Sequence, residues 1–217
     1  MIFNMGVAQV AILLPLLLLS LTVHEWAHGK VAFLRGDATA KERGRLTLNP
    51  IKHLDFFGLL MLLMVGVGWA KPVPMDMRRL KSPRGDLVLV SLAGPASNLA
   101  IGLVVGVLAR GYRLMVEGGA ISYSQPLFQV MIFLSVINGL LFFFNMLPIP
   151  PLDGSKVLGM VLQRRYPELT AAYFRYGSYL LLAVLIAQVG FDVPVIPFQQ
   201  VTRAILSLIV GGTAPAS

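Results

Sequence analysis

The sequence predicts an all-α polytopic membrane protein with about four to five transmembrane helices. Of its 217 residues, 56% are hydrophobic and 13% are charged, whereas a soluble domain carries about 25% charged residues. The apolar residues form long runs, and the basic residues lie between these runs rather than in one patch. This distribution follows the positive-inside rule, so the net charge of +8 indicates a lipid bilayer as partner and no nucleic acid.

The first apolar run extends from about Phe3 to Val23 and is predicted to continue as a helix through His24 to about Leu34. It is longer than the roughly 20 residues that span a bilayer. No Lys or Arg precedes Lys30, and no small-residue cleavage site follows the run, so we expect a retained membrane helix and not a signal peptide. Further spans are predicted at about 86–109, 126–147 and 176–189, and a half-span or surface helix at about 198–210.

The segment that follows the first run, residues 35–55, is polar and basic. The alternation from Arg45 to Leu48 before Asn49-Pro50 predicts a short β-hairpin at the membrane surface. The next apolar run, Phe56 to Ala70, reaches only about 22 Å as a helix, which is short of a hydrocarbon core of about 30 Å. We therefore expect a membrane re-entrant segment here.

Charge then predicts the topology. Six basic residues lie from Lys30 to Lys52 and five from Lys71 to Arg84, and both groups favour the cytosol. They share one side only if the run between them dips into the membrane and returns. The sequence thus predicts a multi-pass protein of the cell (plasma) membrane with one embedded domain over residues 1–217. Its predicted parts are a core at about 5–165, C-terminal helices at 166–210 and a flexible tail at 211–217.

The residues His24-Glu25-Trp26-Ala27-His28 have the pattern H-E-x-x-H. Two histidines one helical turn apart can bind the same zinc ion, and Glu25 beside them can accept a proton from a water molecule that the metal activates. The chain has no cysteine, which excludes thiolate ligands and a cysteine nucleophile. Two histidines at a headgroup boundary are the simpler alternative, but ionisable groups at membrane depth are costly and usually functional.

A catalytic zinc ion needs a third protein ligand, and the candidates are Asp153, His53 and Asp55. The predicted topology favours Asp153, because it places the end of the third long span on the same side as the histidines. His53 and Asp55 are expected in interfacial hydrogen bonds instead. We predict one Zn²⁺ per chain, with His24, His28 and Asp153 as its ligands.

Three asparagines, each in a predicted span or at its end, allow both a packing and a functional interpretation. Asn145 precedes Pro148, Pro150 and Pro151, which prevent a regular helix where a span ends. Its amide could hold a substrate carbonyl or the developing oxyanion, or it could form a helix–helix hydrogen bond. For Ala93-Gly94-Pro95-Ala96-Ser97-Asn98, close helix packing is the favoured interpretation, and Asn98 facing the active-site cavity is the alternative. Asn138 near the middle of the next span allows the same two interpretations.

Together these residues resemble the site-2 protease family of intramembrane zinc metalloproteases. The resemblance covers roughly residues 20–160 and rests mainly on two motifs, His24-Glu25-x-x-His28 and Asn145-x-x-Pro148-x-Pro150-x-x-Asp153-Gly154. It implies a protease that cuts membrane protein substrates in or near their transmembrane segments, close to the cytosolic side. No soluble stretch is long enough for the PDZ or CBS domains of many relatives, so substrate choice is left to the membrane core, or to an oligomeric or regulatory membrane partner.

Two other classes of protein remain as alternatives. A membrane metal-binding transporter could use the same three ligands without proteolysis, but the later spans carry few ionisable residues in their middles. A catalytically silent scaffold commonly lacks the glutamate or one ligand, whereas the set is complete in this chain.

Overall fold

The structure is a computed structural model that describes residues 7–65, 68–191 and 193–211. The start of the first apolar run, at residues 3–6, and the tail at 212–217 lie outside the described residues. Within them the chain forms helices α1 Val7–Leu34, α2 Thr39–Glu42, α3 Phe56–Val65, α4 Pro83–Glu117, α5 Gln125–Asn145, α6 Asp153–Leu162, α7 Pro167–Gly190 and α8 Phe198–Val210.

Four of these helices are long and apolar enough to cross a membrane: Val10–Leu34 within α1, and the whole of α4, α5 and α7. The prediction of an all-α polytopic membrane protein is therefore confirmed, and the protein is an integral multi-pass membrane protein. Helix α8 has 13 residues, which reach about 20 Å and do not span a bilayer. It packs instead against α4 and α5.

Helix α4 lies at the centre of the fold and contacts α1, α5, α6 and α8. Its buried face repeats every four residues at Gly94, Asn98, Gly102 and Gly106, so small residues line one stripe of the helix. A Cβ atom at Gly106 would lie 2.9 Å from Oγ of Ser135 on α5. Because glycine has no side chain, these positions allow neighbouring helices to approach closely, which is how helices commonly pack in membranes.

The predicted β-hairpin at Arg45 to Leu48 is wrong, because the structure has no strand in this described segment. The N–H of Arg45 donates to the carbonyl of Ala40 over 2.8 Å, so the chain turns back against the end of α2. Gly44 has a φ of +62°, which permits this turn. The Thr47 carbonyl lies 2.8 Å from Nε2 of His53. This carbonyl is therefore hydrogen-bonded to a side chain and not to the backbone of a partner strand.

The segment between His53 and Lys71 folds back on itself. The N–H of Lys71 donates to the carbonyl of His53 over 2.8 Å, which brings the two ends of the segment together. A Cβ atom at Gly58 would lie 2.1 Å from the carbonyl oxygen of Trp69, so the outgoing and returning limbs touch through their backbones. The chain therefore enters and leaves this segment at the same place.

Candidate metal centre

Three side chains from two helices converge on one point. Nε2 of His24 lies 3.0 Å from Nε2 of His28, and Oδ2 of Asp153 lies 3.2 Å and 3.1 Å from these two nitrogens. All three residues are buried, with exposures of 5%, 6% and 5%. Among the described residues they form the one group of at least three His, Cys, Asp or Glu side chains that could hold a metal ion.

Local packing fixes the position of Asp153 at the first residue of α6. A Cβ atom at Gly154 would lie 2.3 Å from the carbonyl oxygen of Met146, so a glycine is required for α6 to begin this close to the end of α5. Lys156 donates from Nζ to Oδ1 of Asp153 over 2.8 Å, which leaves Oδ2 to face the histidines.

The charge state of Asp153 suits a metal ligand. Burial raises the pKa of its carboxyl group, but the contacts with His24 and His28 and the charge of Lys156 lower it by more. The pKa of Asp153 therefore lies well below its usual range, and the group is an ionised carboxylate at neutral pH.

The chemistry of the three groups fits zinc. Nδ1 of His24 lies 2.6 Å from Oδ1 of Asn98, and Nδ1 of His28 lies 2.6 Å from the carbonyl oxygen of Val90. Because these oxygens accept hydrogen bonds, each Nδ1 carries a proton and each Nε2 presents a lone pair to the common point. These three atoms lie within 3.2 Å of one another, so a positive charge must lie among them: either a proton on a histidine Nε2, as in the contacts that lower the pKa of Asp153, or a metal ion. Nitrogen and carboxylate ligands at about 2.0–2.2 Å from a tetrahedral zinc ion are separated by about 3.3–3.5 Å, close to the distances seen here.

A glycine on α4 leaves the space that an ion needs. A Cβ atom at Gly94 would lie 2.3 Å from Nε2 of His28 and 2.6 Å from Nε2 of His24. Any side chain at position 94 would therefore fill the region in front of both ring nitrogens, which a ligand to them must enter.

Glu25, the residue between the histidines, is half-buried and held by the loop that follows the fold-back. The N–H of Val73 donates to Oε2 of Glu25 over 2.8 Å. Val73 lies between Pro72 and Pro74, which have no N–H, so it supplies the one backbone donor of this tripeptide. Among the described residues, Oε1 of Glu25 accepts no hydrogen bond from protein.

The other candidates from the sequence lie in local hydrogen bonds. Nε2 of His53 contacts the Thr47 carbonyl, and Oδ1 of Asp55 accepts the N–H of Gly58 over 2.8 Å. Asn145 donates from Nδ2 to the carbonyl of Leu141, one turn back in its own helix, over 2.9 Å. The structure therefore brings His24, His28 and Asp153 together and leaves His53 and Asp55 outside the group.

Four residues at the site carry no clear local signal in the sequence: Gly94, Asn98, Val73 and Lys156. The structure agrees with close helix packing, the favoured interpretation of the motif around Asn98: this residue is fully buried, and its amide contacts Nδ1 of His24 on α1 and Oδ1 of Asn138 on α5. It also shows that the packing interpretation of the same motif holds for Gly94, whose close approach is to the imidazole rings.

Comparisons with known proteins identify the family. Residues 112–187 match peptidase family M50. The protein YwhC of Bacillus subtilis, whose name describes it as a candidate zinc metalloprotease, is 41% identical over 177 residues, which cover 80% of this chain and 80% of YwhC. The chain belongs to peptidase family M50. Rip2 of Mycolicibacterium smegmatis, described in the same way, is 30% identical over 78% of this chain and 64% of its own length. The zinc metalloprotease MJ0392 of Methanocaldococcus jannaschii is 26% identical over 81% of this chain and 42% of its own. No solved structure shows a significant match.

Membership of family M50 confirms the predicted resemblance to the site-2 protease family. This M50 protein is a zinc metalloprotease of a membrane, and its cofactor is zinc. The assignment of individual ligands and catalytic groups stays a prediction from the sequence, to which the geometry adds support.

Proposed function

We propose that this M50 protease cleaves peptide bonds in or near the transmembrane segments of membrane proteins. His24, His28 and Asp153 hold one zinc ion, and Glu25 is the general base. The observation that carries the proposal is the convergence of three ligand lone pairs at a buried point beside α4, reached from a membrane-spanning helix and from α6.

A zinc ion at such a site acts as a Lewis acid and lowers the pKa of a water molecule from 15.7 to about 7. Glu25 keeps Oε2 fixed against the Val73 N–H and has Oε1 available to take up the proton of the attacking water. Glu25 then delivers that proton to the leaving amine, as a general base does when it returns as a general acid.

We assign Asn145 a supporting role at the substrate carbonyl. Its amide nitrogen has two N–H groups, and the Leu141 carbonyl accepts one of them. The second N–H is a donor for a substrate carbonyl or for the oxyanion that forms from it.

A cavity among the helices suits a transmembrane substrate. It has a volume of about 620 Å³, and α1, α3, α5, α7 and α8 contribute to its wall. The lining is mainly apolar and includes Leu21 on α1 and Leu141 on α5, each one helical turn before Glu25 or Asn145. The cavity therefore offers an apolar surface on the same two helices that carry the groups assigned to the reaction, as a substrate with apolar side chains requires.

The fold-back supports an active site near the cytosolic side of a cell membrane. Because His53 and Lys71 are hydrogen-bonded, the basic segments on either side of the fold-back start from one place and can share one membrane face. We further propose that residues 1–217 act as one peptidase domain, since α1 and α8, near the two ends of the described chain, both pack on α4.

Replacement of the base tests the proposal. The test uses protein reconstituted in liposomes together with a single-span membrane protein as substrate. Glu25→Gln should lower the cleavage rate by about 10⁴-fold or more, the top of the range for general base catalysis, because a carboxamide does not accept a proton as a carboxylate does. Zinc content should not change, and Glu42→Gln, at an exposed position, is the matched control. Comparing the membrane proteomes of cells that carry the wild-type or the Glu25→Gln protein identifies the substrate as a membrane protein that accumulates uncleaved with Glu25→Gln. Equal cleavage by both proteins would remove the mechanism, and zinc flux without any cleavage would favour the transporter.

A further inference from the structure

A chain of buried polar side chains runs from the metal centre into the middle of the helix bundle. His24 and Ser20 lie on α1, Asn98 on α4 and Asn138 on α5, and both asparagines are 0% exposed. Buried amides are unfavourable in a membrane protein unless every donor and acceptor is paired. Their hydrogen bonds determine in which direction each amide points.

Asn138 is anchored by two groups that accept hydrogen bonds. Its Nδ2 lies 2.9 Å from the carbonyl oxygen of Leu134 and 2.9 Å from Oγ of Ser20. The Ser20 hydroxyl donates its own proton to the carbonyl of Leu16 over 2.9 Å, so it meets Asn138 as an acceptor. The nitrogen of Asn138 must face these two oxygens, and its Oδ1 must point the other way, toward Asn98.

The orientation of the Asn138 amide sets the orientation of the Asn98 amide, which in turn contacts His24. Nδ2 of Asn98 donates to Oδ1 of Asn138 over 2.8 Å, which leaves Oδ1 of Asn98 against Nδ1 of His24 at 2.6 Å. An amide oxygen only accepts, so Nδ1 of His24 carries the proton and Nε2 is left for the metal. His28 needs no such chain, because the backbone carbonyl of Val90 performs the same task for its Nδ1.

We infer that Asn98 and Asn138 are positioning residues that set the tautomer of His24 for zinc binding. The inference rests on the ligand role proposed for His24. Without the Asn98 oxygen, Oδ2 of Asp153, 3.2 Å from Nε2 of His24, becomes the better acceptor. The ring proton then moves to Nε2, and zinc must displace it before binding. Asn138 acts on Asn98 and not on His24 itself: its Oδ1 is the nearer acceptor of Asn98 Nδ2, at 2.8 Å against 3.5 Å for the Ser20 carbonyl, and so keeps the Asn98 amide from turning over.

The tautomer can be observed directly, because the chain has three histidines. In nitrogen NMR spectra of metal-free, histidine-labelled protein at mildly alkaline pH, Nδ1 of His24 should be protonated in the wild type and unprotonated in Asn98→Leu. Nδ1 of His28 should stay protonated in both proteins. Single substitutions of each histidine assign the signals.

Zinc affinity, measured by competition with a chelator, gives a second readout. Loss of a partner that orients a ligand typically weakens metal binding by about 10- to 100-fold, and we expect this for Asn98→Leu and for Asn138→Leu. Ser135→Ala is the matched control, because Ser135 is buried on the same face of α5 and donates to the Gly102 carbonyl of α4 over 2.8 Å. It should leave zinc affinity within about twofold of the wild type, since it removes an α4–α5 hydrogen bond that orients no metal ligand.

A double substitution distinguishes two causes of weaker zinc binding: a reversed amide at position 98 and a loss of side-chain packing. An aspartate at position 98 accepts through either oxygen, so it keeps the Nδ1 proton on His24 without help from Asn138. Asn98→Asp combined with Asn138→Leu should therefore bind zinc more tightly than Asn138→Leu alone. A loss of packing predicts the opposite order.

Three results would overturn the inference: wild-type His24 without a proton on Nδ1, unchanged zinc affinity in Asn98→Leu, or an equal loss of affinity in Ser135→Ala. If Asn98→Leu does not fold, the wild-type spectrum and the double substitution still decide. A wild-type protein that binds no zinc would instead refute the proposed ligand set, and the spectrum of the metal-free protein distinguishes that failure from this one.

Discussion

Val73 donates its backbone N–H to Oε2 of Glu25 over 2.8 Å, and this bond joins the loop after the fold-back to the proposed general base. The loop is itself held in place, because Arg45 donates from its guanidinium to the Lys71 carbonyl over 2.8 Å. A segment far from Glu25 in the sequence thus fixes the carboxylate relative to the proposed metal ligands.

Removal of this single donor should impair catalysis and leave zinc in place. Val73→Pro deletes the N–H, and misplacement of a catalytic group commonly lowers the rate by about 10- to 100-fold. Val73→Ala, which shortens the side chain and keeps the N–H, is the control and should cleave at a rate near that of the wild type. Cleavage rates and zinc content of the two purified proteins decide the matter. A similar loss in both would assign the effect to packing of the buried Val73 side chain.

Zinc should be present at one ion per chain and depend on the three converging residues. His24→Ala, His28→Ala and Asp153→Ala each remove one ligand and should leave little bound metal after dialysis, as measured by elemental analysis. His53→Ala is a demanding control, because His53 is buried at 2% exposure yet contacts the Thr47 carbonyl and not the cluster. Loss of zinc from His53→Ala, or its retention after Asp153→Ala, would contradict the ligand set.

A methyl group at position 94 should exclude the metal while the helix stays intact. The Cβ atom of Gly94→Ala would lie 2.3 Å from Nε2 of His28, so the imidazoles must move or the ion must leave. Gly111→Ala adds the same group to the same helix at a position where no atom outside the adjoining helix backbone would lie within 4 Å of it. It should keep zinc and activity. Zinc content and circular dichroism of the two proteins compare the effects, and full zinc occupancy in Gly94→Ala would show that the ion approaches from another direction.

Single cysteines should reveal the topology, since the chain has none of its own. Arg43→Cys and Arg84→Cys lie at exposed positions before and after the fold-back. Both should resist a membrane-impermeant maleimide in whole cells and react in inverted vesicles. Ala120→Cys, exposed in the turn between α4 and α5, should show the reverse. Opposite reactivity of positions 43 and 84 would mean that the segment between them crosses the bilayer.

The parts of the fold that the sequence predicted correctly depend on local patterns. Length and apolarity of a run determine whether it spans, and the spacing of His24 and His28 places both on one face of any helix. Gly94 could not be recognised as part of the site, because its role depends on which face of α4 meets α1. For the same reason, the sequence could not show that Asn98 contacts Nδ1 of His24, because this 2.6 Å hydrogen bond joins α4 to α1.

The wrong β-hairpin has a different cause. The alternation Arg45-Leu46-Thr47-Leu48 has the period of a strand, but a strand also needs a partner for its backbone. In the structure the backbone groups of this segment bond to Ala40 and to the His53 side chain. Such long-range competition for hydrogen bonds is not visible in a pattern of four residues.

The separation of His28 and Asp153 by 125 residues has a consequence for biosynthesis. A ribosome that adds about 5–20 residues per second needs about 6–25 seconds to make that length of chain. During this interval the nascent protein contains both histidines and Glu25 but lacks the carboxylate that completes the proposed centre. A hydrolytic enzyme built in this way remains inert while its first helices pass through the insertion machinery, and it becomes competent only after three of the four spans among the described residues have been synthesised.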